Sequence, residues 1–191
     1  ESGKYGKIED MVLGLKVITP NGTISHRDYP KHATGLDTFR LFLGSEGTLG
    51  IITKATIALT KKPKDLALCC VGVNDINNLL ELLSKLQKAD ILISAFEFFS
   101  LKAHEHVLRV HSETTTPFDK KYSYYGLIEI EGDQAQTRLE NFLASIWDLN
   151  ILADARLGSS SQENKYLWSL RELITESLQT GFHVRKNDIS V

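Results

Sequence analysis

From residue 66 onward the sequence alternates between two periodicities, and that alternation restricts the fold more than anything else in the chain. "LALCCVGV" at 66–73 is an apolar run of strand length and reads as a buried strand. "INNLLELLSKLQKA" at 76–89 then brings Leu79, Leu80, Leu82, Leu83 and Leu86 to helical spacing. The switch repeats down the chain. Strands are predicted at 91–100, 122–132, 151–160 and 181–191, and helices at 101–113, 133–150 and 161–180. The last helix opens on a Ser cap with Glu163 in its first turn. This order predicts an α+β sandwich of antiparallel sheet and helices, ferredoxin-like in kind.

Residues 1–62 read differently. "IEDMVLGLKVIT" runs into the turn "PNG" and resumes as "TIS", a β-hairpin signal. "TGLDTFRLF" at 34–42 predicts a short helix starting near Thr34 or Asp37. "GIITKATIALT" at 50–60 is β-branched and reads as a strand. "KKPKD" at 61–65 breaks the composition, so a domain boundary is expected there, dividing 1–62 from 63–191.

The chain has 191 residues, 42% of them hydrophobic, 24% charged, with a formal net charge of −2. That is the composition of a globular protein. It carries no basic run that would attract nucleic acid. No segment reaches the apolar length of a membrane-spanning helix. Cys69 and Cys70 are adjacent, so in a strand they point to opposite faces and read as core thiols of a reducing compartment. His104 and His106 lie two apart on a predicted helix, with His111 five further on. This is poor metal-ligand spacing, and a surface or partly packed helix accounts for it. The sequence begins without Met and stops within a strand-like run. Both ends look cut, and a piece of a longer protein is expected.

"LFLGSEGTLGIIT" at 41–53 sets Gly44, Gly47 and Gly50 three residues apart before a strand. A tight multiple turn between helix and strand explains it as well as a ligand loop, in which glycines let backbone approach a flat or phosphorylated group. It is neither a Walker loop nor a dinucleotide fingerprint, since no Lys-Ser/Thr follows and the glycines precede a strand.

"YGKIEDMVLGLKVITPNGTI" followed by "GLDTFRLFLGSEGTLGIITKATIAL" resembles the second half of the FAD-binding domain of vanillyl-alcohol-oxidase-type (PCMH-type) flavoproteins. "ILISAFEFFS" and "LWSLRELITESLQ…VRKNDISV" resemble the substrate-binding cap of their 2-hydroxy-acid dehydrogenase branch, which acts on D-lactate, glycolate or D-2-hydroxyglutarate. The resemblance implies an α+β fold: the second half of a PCMH-type FAD-binding domain, then most of a ferredoxin-like cap incomplete at its C-terminus. It implies FAD as cofactor, with Glu46, Gly47, Thr48, Leu49, Gly50, Ile51 and Ile52 lying against it.

Arg171 and Thr175 are i and i+4 on one predicted helix, with Lys186 in the next strand. Two cations and a hydroxyl would suit a carboxylate, although a helix-surface Arg is usually only solvated. In the dehydrogenase branch an Arg-x-x-x-Thr helix and a Lys-x-Asp-[Leu/Ile/Val]-Ser strand bind substrate carboxylate oxygens. The resemblance therefore implies Arg171, Thr175 and Lys186 as substrate ligands, with Asp188 and Ser190 matching the strand pattern. His183 reads as a bystander.

The resemblance further implies a divalent metal, zinc, in the parent enzyme. Its His-x-x-Gly-Asp-Gly-Asn-x-His-like segment does not occur in these residues; its later Glu-His pair is expected beyond Val191, and the catalytic base is expected outside these residues too. Implied partners are a small 2-hydroxy acid and a separate electron acceptor. A homodimer stays open. The implied compartment is the cytoplasm, or the mitochondrion in a eukaryote. Two rival readings stand beside this one. The first is an alkyl-dihydroxyacetone-phosphate-synthase-like flavoenzyme, which "GSEGTLG" also suits. The second is an inert structural module, since so short a segment is expected to hold FAD weakly or not at all.

Overall fold

A computed structural model describes residues 6–25, 35–180, 184, 185 and 187. The chain divides into two compact units, Glu1–Lys62 and Pro63–Val191.

The first unit carries a three-stranded antiparallel sheet in the order β2-β1-β3, with β1 at Val12–Thr19, β2 at Gly22–Ser25 and β3 at Ile51–Ile57. The hairpin signal is met, because Thr19 pairs with Gly22 across a two-residue turn. Two details differ from the sequence reading. Residues Ile8–Met11 form a single helical turn, α1, rather than strand. The Asp10 carboxylate accepts the Lys7 backbone N–H at 3.0 Å and closes that turn. The helix expected over 34–42 is a 3₁₀ turn at Thr38–Phe42, whose N-cap Asp37 makes no capping bond. Its phenylalanines, Phe39 and Phe42, pack on Val12, Leu15 and Val17 of β1 and form the small core of this unit.

The second unit is built on a four-stranded antiparallel sheet. Its strands are β4 (Leu66–Val73), β5 (Leu92–Ser100), β6 (Tyr124–Glu131) and β7 (Asp154–Leu157), in spatial order β5-β6-β4-β7. Taken in chain order within the unit this is 2-3-1-4, the antiparallel arrangement of a ferredoxin-like sheet. The helices are α2 (Ile76–Lys88), α3 (Leu101–Val110), α4 (Ala135–Ile146) and α5 (Ser161–Gln179).

A two-layer sandwich would leave one sheet face bare, but here both are covered. On one face, Leu79, Leu82 and Leu86 of α2 and Leu139, Phe142, Leu143 and Ile146 of α4 pack on Cys69, Val71, Ile128 and Ile130. On the other, Leu167 and Leu170 of α5 pack on Leu68, Cys70, Tyr125 and Leu127. Helix α3, inserted between β5 and β6 where a simple hairpin would suffice, packs against α5 on this second face. Double coverage explains why "LALCCVGV" shows no alternation of polar and apolar residues: every residue from Ala67 to Val73 is buried. The adjacent cysteines are both free and buried, one in each core. The strand expected at 181–191 lies largely outside the described residues.

Helix α3 is partly packed, as expected, with His104 and Val107 its buried residues. His104 is 1% exposed, its ring tilted by 46° to Phe99 and 54° to Tyr125 at centroid distances of 5.9 and 5.1 Å, and neither ring nitrogen has a hydrogen-bond partner. Burial holds its pKa below the ordinary value, partly offset by neighbouring Glu105, so the ring is kept neutral. His106, two residues on, tethers α3 to α5 through its Nε2 at 2.9 Å from the Ser177 carbonyl oxygen.

Candidate functional site

The glycine-rich segment of the first unit has a backbone reason for each glycine. Gly44 and Gly47 have φ of +74° and +79°, in the left-handed region where a Cβ is penalised. Glu46 between them shares that region at φ +50°. Gly50 is different. A Cβ there would stand 2.8 Å from the Ile18 carbonyl oxygen and 2.8 Å from Val17 Cγ1, so only glycine lets β3 start this close to β1. Two hydroxyls tie the turn internally: Ser45 Oγ donates to the Phe42 carbonyl at 2.9 Å and Thr48 Oγ1 to the Ser45 carbonyl at 2.6 Å. The glycine spacing is thus a folding requirement before it is anything else.

What the fold leaves unexplained is the apolar surface that follows. Leu49, Ile51 and Ile52 are 52%, 68% and 44% exposed, and Ile18, the β1 partner of Ile51, is 48% exposed as well. At Gly47 nothing lies within 4 Å of where a Cβ would be. A turn open at Gly47 and running into exposed aliphatic groups offers a surface that a flat, largely apolar ring system could cover.

In the second unit, α5 brings chemistry-bearing groups to one face. Its start is fixed by Ser160, whose Oγ accepts the Glu163 N–H at 3.1 Å. The Glu163 carboxylate accepts Ser159 N–H at 3.0 Å, Ser159 Oγ–H at 2.6 Å and Arg156 Nε–H at 2.9 Å. These bonds, the Ser159 pair foremost, draw its pKa down to about 2.

Further along α5, Trp168, Arg171 and Thr175 follow at i, i+3 and i+7, all half-buried. Two strand carboxylates meet this face. Arg171 Nε donates to Glu97 Oε2 at 3.0 Å, and both side chains are about two-fifths exposed. Trp168 Nε1 donates to Glu129 Oε2 at 3.3 Å, while Ser94 Oγ donates to Glu129 Oε1 at 2.7 Å. The structure therefore places Arg171 and Thr175 one turn apart on the same face. Lys186, Asp188, Ser190 and His183 lie outside the described residues. Sequence reasoning missed Glu97, Glu129, Ser94 and Trp168. A Glu inside "AFEFFS" was the available signal, because an acid among strand phenylalanines calls for a partner.

Among the described residues no group of three or more His, Cys, Asp or Glu side chains could hold a metal ion, and no helix is long and apolar enough to cross a membrane.

Residues 62–191 match the family described as FAD linked oxidases, C-terminal domain. The chain belongs to this family of FAD-linked oxidases. Its relatives include the D-2-hydroxyglutarate dehydrogenase of Stutzerimonas stutzeri, 36% identical over 98% of this chain and 41% of that protein. The mitochondrial D-2-hydroxyglutarate dehydrogenase of Bos taurus is 33% identical over 98% of this chain and 35% of that protein. A putative mitochondrial D-lactate dehydrogenase of Schizosaccharomyces pombe is 31% identical over 98% of this chain and 37% of that protein. The chain thus spans well under half the length of these relatives.

Among solved structures, alkyldihydroxyacetonephosphate synthase aligns with a TM-score of 0.58 at 20% identity, covering 91% of this chain and 34% of the other. A p-cresol methylhydroxylase aligns at 0.52 and 14% identity, covering 82% and 36%. At such identities the likeness shows the α+β fold of PCMH-type enzymes alone.

Proposed function

We propose that this chain is the middle part of an FAD-dependent dehydrogenase that oxidises a D-2-hydroxy acid, such as D-lactate, glycolate or D-2-hydroxyglutarate, to the 2-oxo acid. In this reading residues 1–62 are the C-terminal part of the FAD-binding domain and 63–191 the substrate-binding cap. Glu46, Gly47, Thr48, Leu49, Gly50, Ile51 and Ile52 would line the flavin. Arg171, Thr175 and Lys186 would take the substrate carboxylate. The flavin, when bound, supplies a hydride acceptor at N5, and a separate acceptor then removes the electrons. A divalent metal, zinc, is assigned to the parent outside the described residues. The compartment is the mitochondrion in a eukaryote and the cytoplasm in a bacterium.

The observation that carries this reading is the placement of Arg171. Its guanidinium is half-exposed, bonded through Nε alone to Glu97, with the Thr175 side chain one turn further along the same face. That disposition suits a carboxylate, which needs paired N–H donors and one hydroxyl. The curated relatives named for 2-hydroxy-acid dehydrogenases align over nearly the whole chain and support the same substrate class. The likeness to alkyldihydroxyacetonephosphate synthase is one of fold and favours no alkyl exchange.

The test is anaerobic flavin bleaching in the full-length protein that carries this sequence. A D-2-hydroxy acid from the panel is expected to bleach the flavin, and its L enantiomer is not. If no member of the panel reduces the flavin, the reading fails.

A further inference from the structure

Glu97 is an expensive residue where it stands. It occupies β5 between Phe96 and Phe98, opposite Leu127 of β6, in a strand environment that disfavours Glu. Its side chain is 40% exposed, and Arg171 is 39% exposed. An ion pair so accessible to water contributes little to stability. Stability therefore does not account for the pair, but its geometry offers another role. The carboxylate sits on a strand whose backbone is fixed in the sheet, and it takes the Nε–H of Arg171 at 3.0 Å. An unrestrained Arg side chain must lose most of its rotamer freedom on binding a ligand. One held at Nε has lost much of that freedom beforehand, and its two terminal nitrogens project together from the far side of the pair. The helix beneath is tied at a second point by Trp168 to Glu129.

We infer that Glu97 is a positioning residue for substrate: by accepting the Nε–H of Arg171 it presents Nη1 and Nη2 as a preset fork to the substrate carboxylate. The inference rests on the reading of Arg171 as a carboxylate ligand proposed above.

Positioning and simple electrostatics predict opposite signs. Glu97 is an anion beside the cation that would receive an anionic substrate, so on charge alone its removal should tighten binding. If it positions Arg171, removal should weaken binding. The experiment uses steady-state kinetics of the full-length flavoenzyme with its best D-2-hydroxy acid, with Glu97→Ala, Glu97→Gln, Glu97→Asp, Arg171→Ala and the double variant Glu97→Ala/Arg171→Ala.

Glu97→Ala is expected to raise KM about tenfold, the scale of one charge-assisted hydrogen bond, with kcat and flavin content little changed. Glu97→Gln keeps an acceptor oxygen and should return KM to within about twofold of the parent. The double variant should be no worse than Arg171→Ala. Should Glu97→Ala lose flavin or fail to fold, Glu97→Asp decides the question. It keeps the charge but withdraws the oxygen from Nε, so KM should still rise. An unchanged or lower KM in Glu97→Ala overturns the inference, as does a Glu97→Gln variant as impaired as Glu97→Ala. If Arg171→Ala itself leaves KM unchanged, the carboxylate reading falls and takes the inference with it. A raised KM in Arg171→Ala without one in Glu97→Ala removes the inference alone.

Discussion

Glu163 links pH to the stability of the helix that carries Arg171. In the folded chain its carboxylate is bonded to both Ser159 donors and to Arg156, and its pKa falls from the ordinary 4.5 to about 2. A group held below its unfolded value stabilises the fold above that value, and loses the contribution as pH falls through the folded value. Here the contribution is complete above about pH 5 and drains away towards pH 2. A depression of this size corresponds to about 3 kcal/mol by linkage. The side chain is 20% exposed, and its partner Arg156 is 41% exposed. Solvent screening therefore brings the expected value to about 1–2 kcal/mol.

Glu163→Gln keeps an acceptor for Ser159 but removes the charge. It should be less stable than the parent by that amount in urea unfolding at pH 7. At pH 3 the gap should shrink to roughly 40% of its neutral value, because the parent carboxylate is by then losing its advantage. A gap of equal size at both pH values would show that the charge is not what the three donors stabilise.

The other predictions concern the cores and the glycine segment. Burial raises the Cys69 thiol to about 12 and pushes Cys70 up as well. Neither should react with a thiol reagent at pH 8 until the chain unfolds, and one rapidly modified equivalent would contradict this. Because burial lowers the pKa of His104, stability should fall as pH drops below about 6.5. His104→Phe should flatten that slope with little loss at pH 7, since it removes two unpartnered ring nitrogens; an unaltered slope refutes the assignment. Gly50→Ala would force a Cβ against the Ile18 carbonyl and should cost about 1–3 kcal/mol by urea titration. An Ala variant as stable as the parent would mean that β1 and β3 can separate without loss.

Long-period features of the chain were legible because they arise from local pattern. The leucines of α2 and the apolar run of β4 each carry one periodicity, and the structure places them where it predicts. The Ser cap and acidic first turn of α5 were equally readable. The 3₁₀ turn at Thr38–Phe42 was not, because five residues with two buried phenylalanines fit either helical pitch and packing on β1 makes the choice. Which residue of the partly packed α3 would be buried was not legible for a similar reason: the burial of His104 depends on Phe99 and Tyr125, which come from two different strands. On the candidate site, helical spacing put Arg171 and Thr175 on one face, and the family resemblance, not the spacing, implied them as carboxylate ligands. Glu97 belongs to a strand far away in sequence, and only the tertiary fold brings it to Arg171.

The position of β4 has a consequence for the order in which the chain can fold. Both of its sheet partners, β6 and β7, come later in sequence, after α2, β5 and α3. During synthesis the run "LALCCVGV" leaves the ribosome before either of its partners and stays unpaired until residues 124–131 and then 154–157 have been made. Until then a strand with no polar face is available to any other open sheet edge. A chain truncated before β6 should therefore aggregate rather than populate a smaller folded domain.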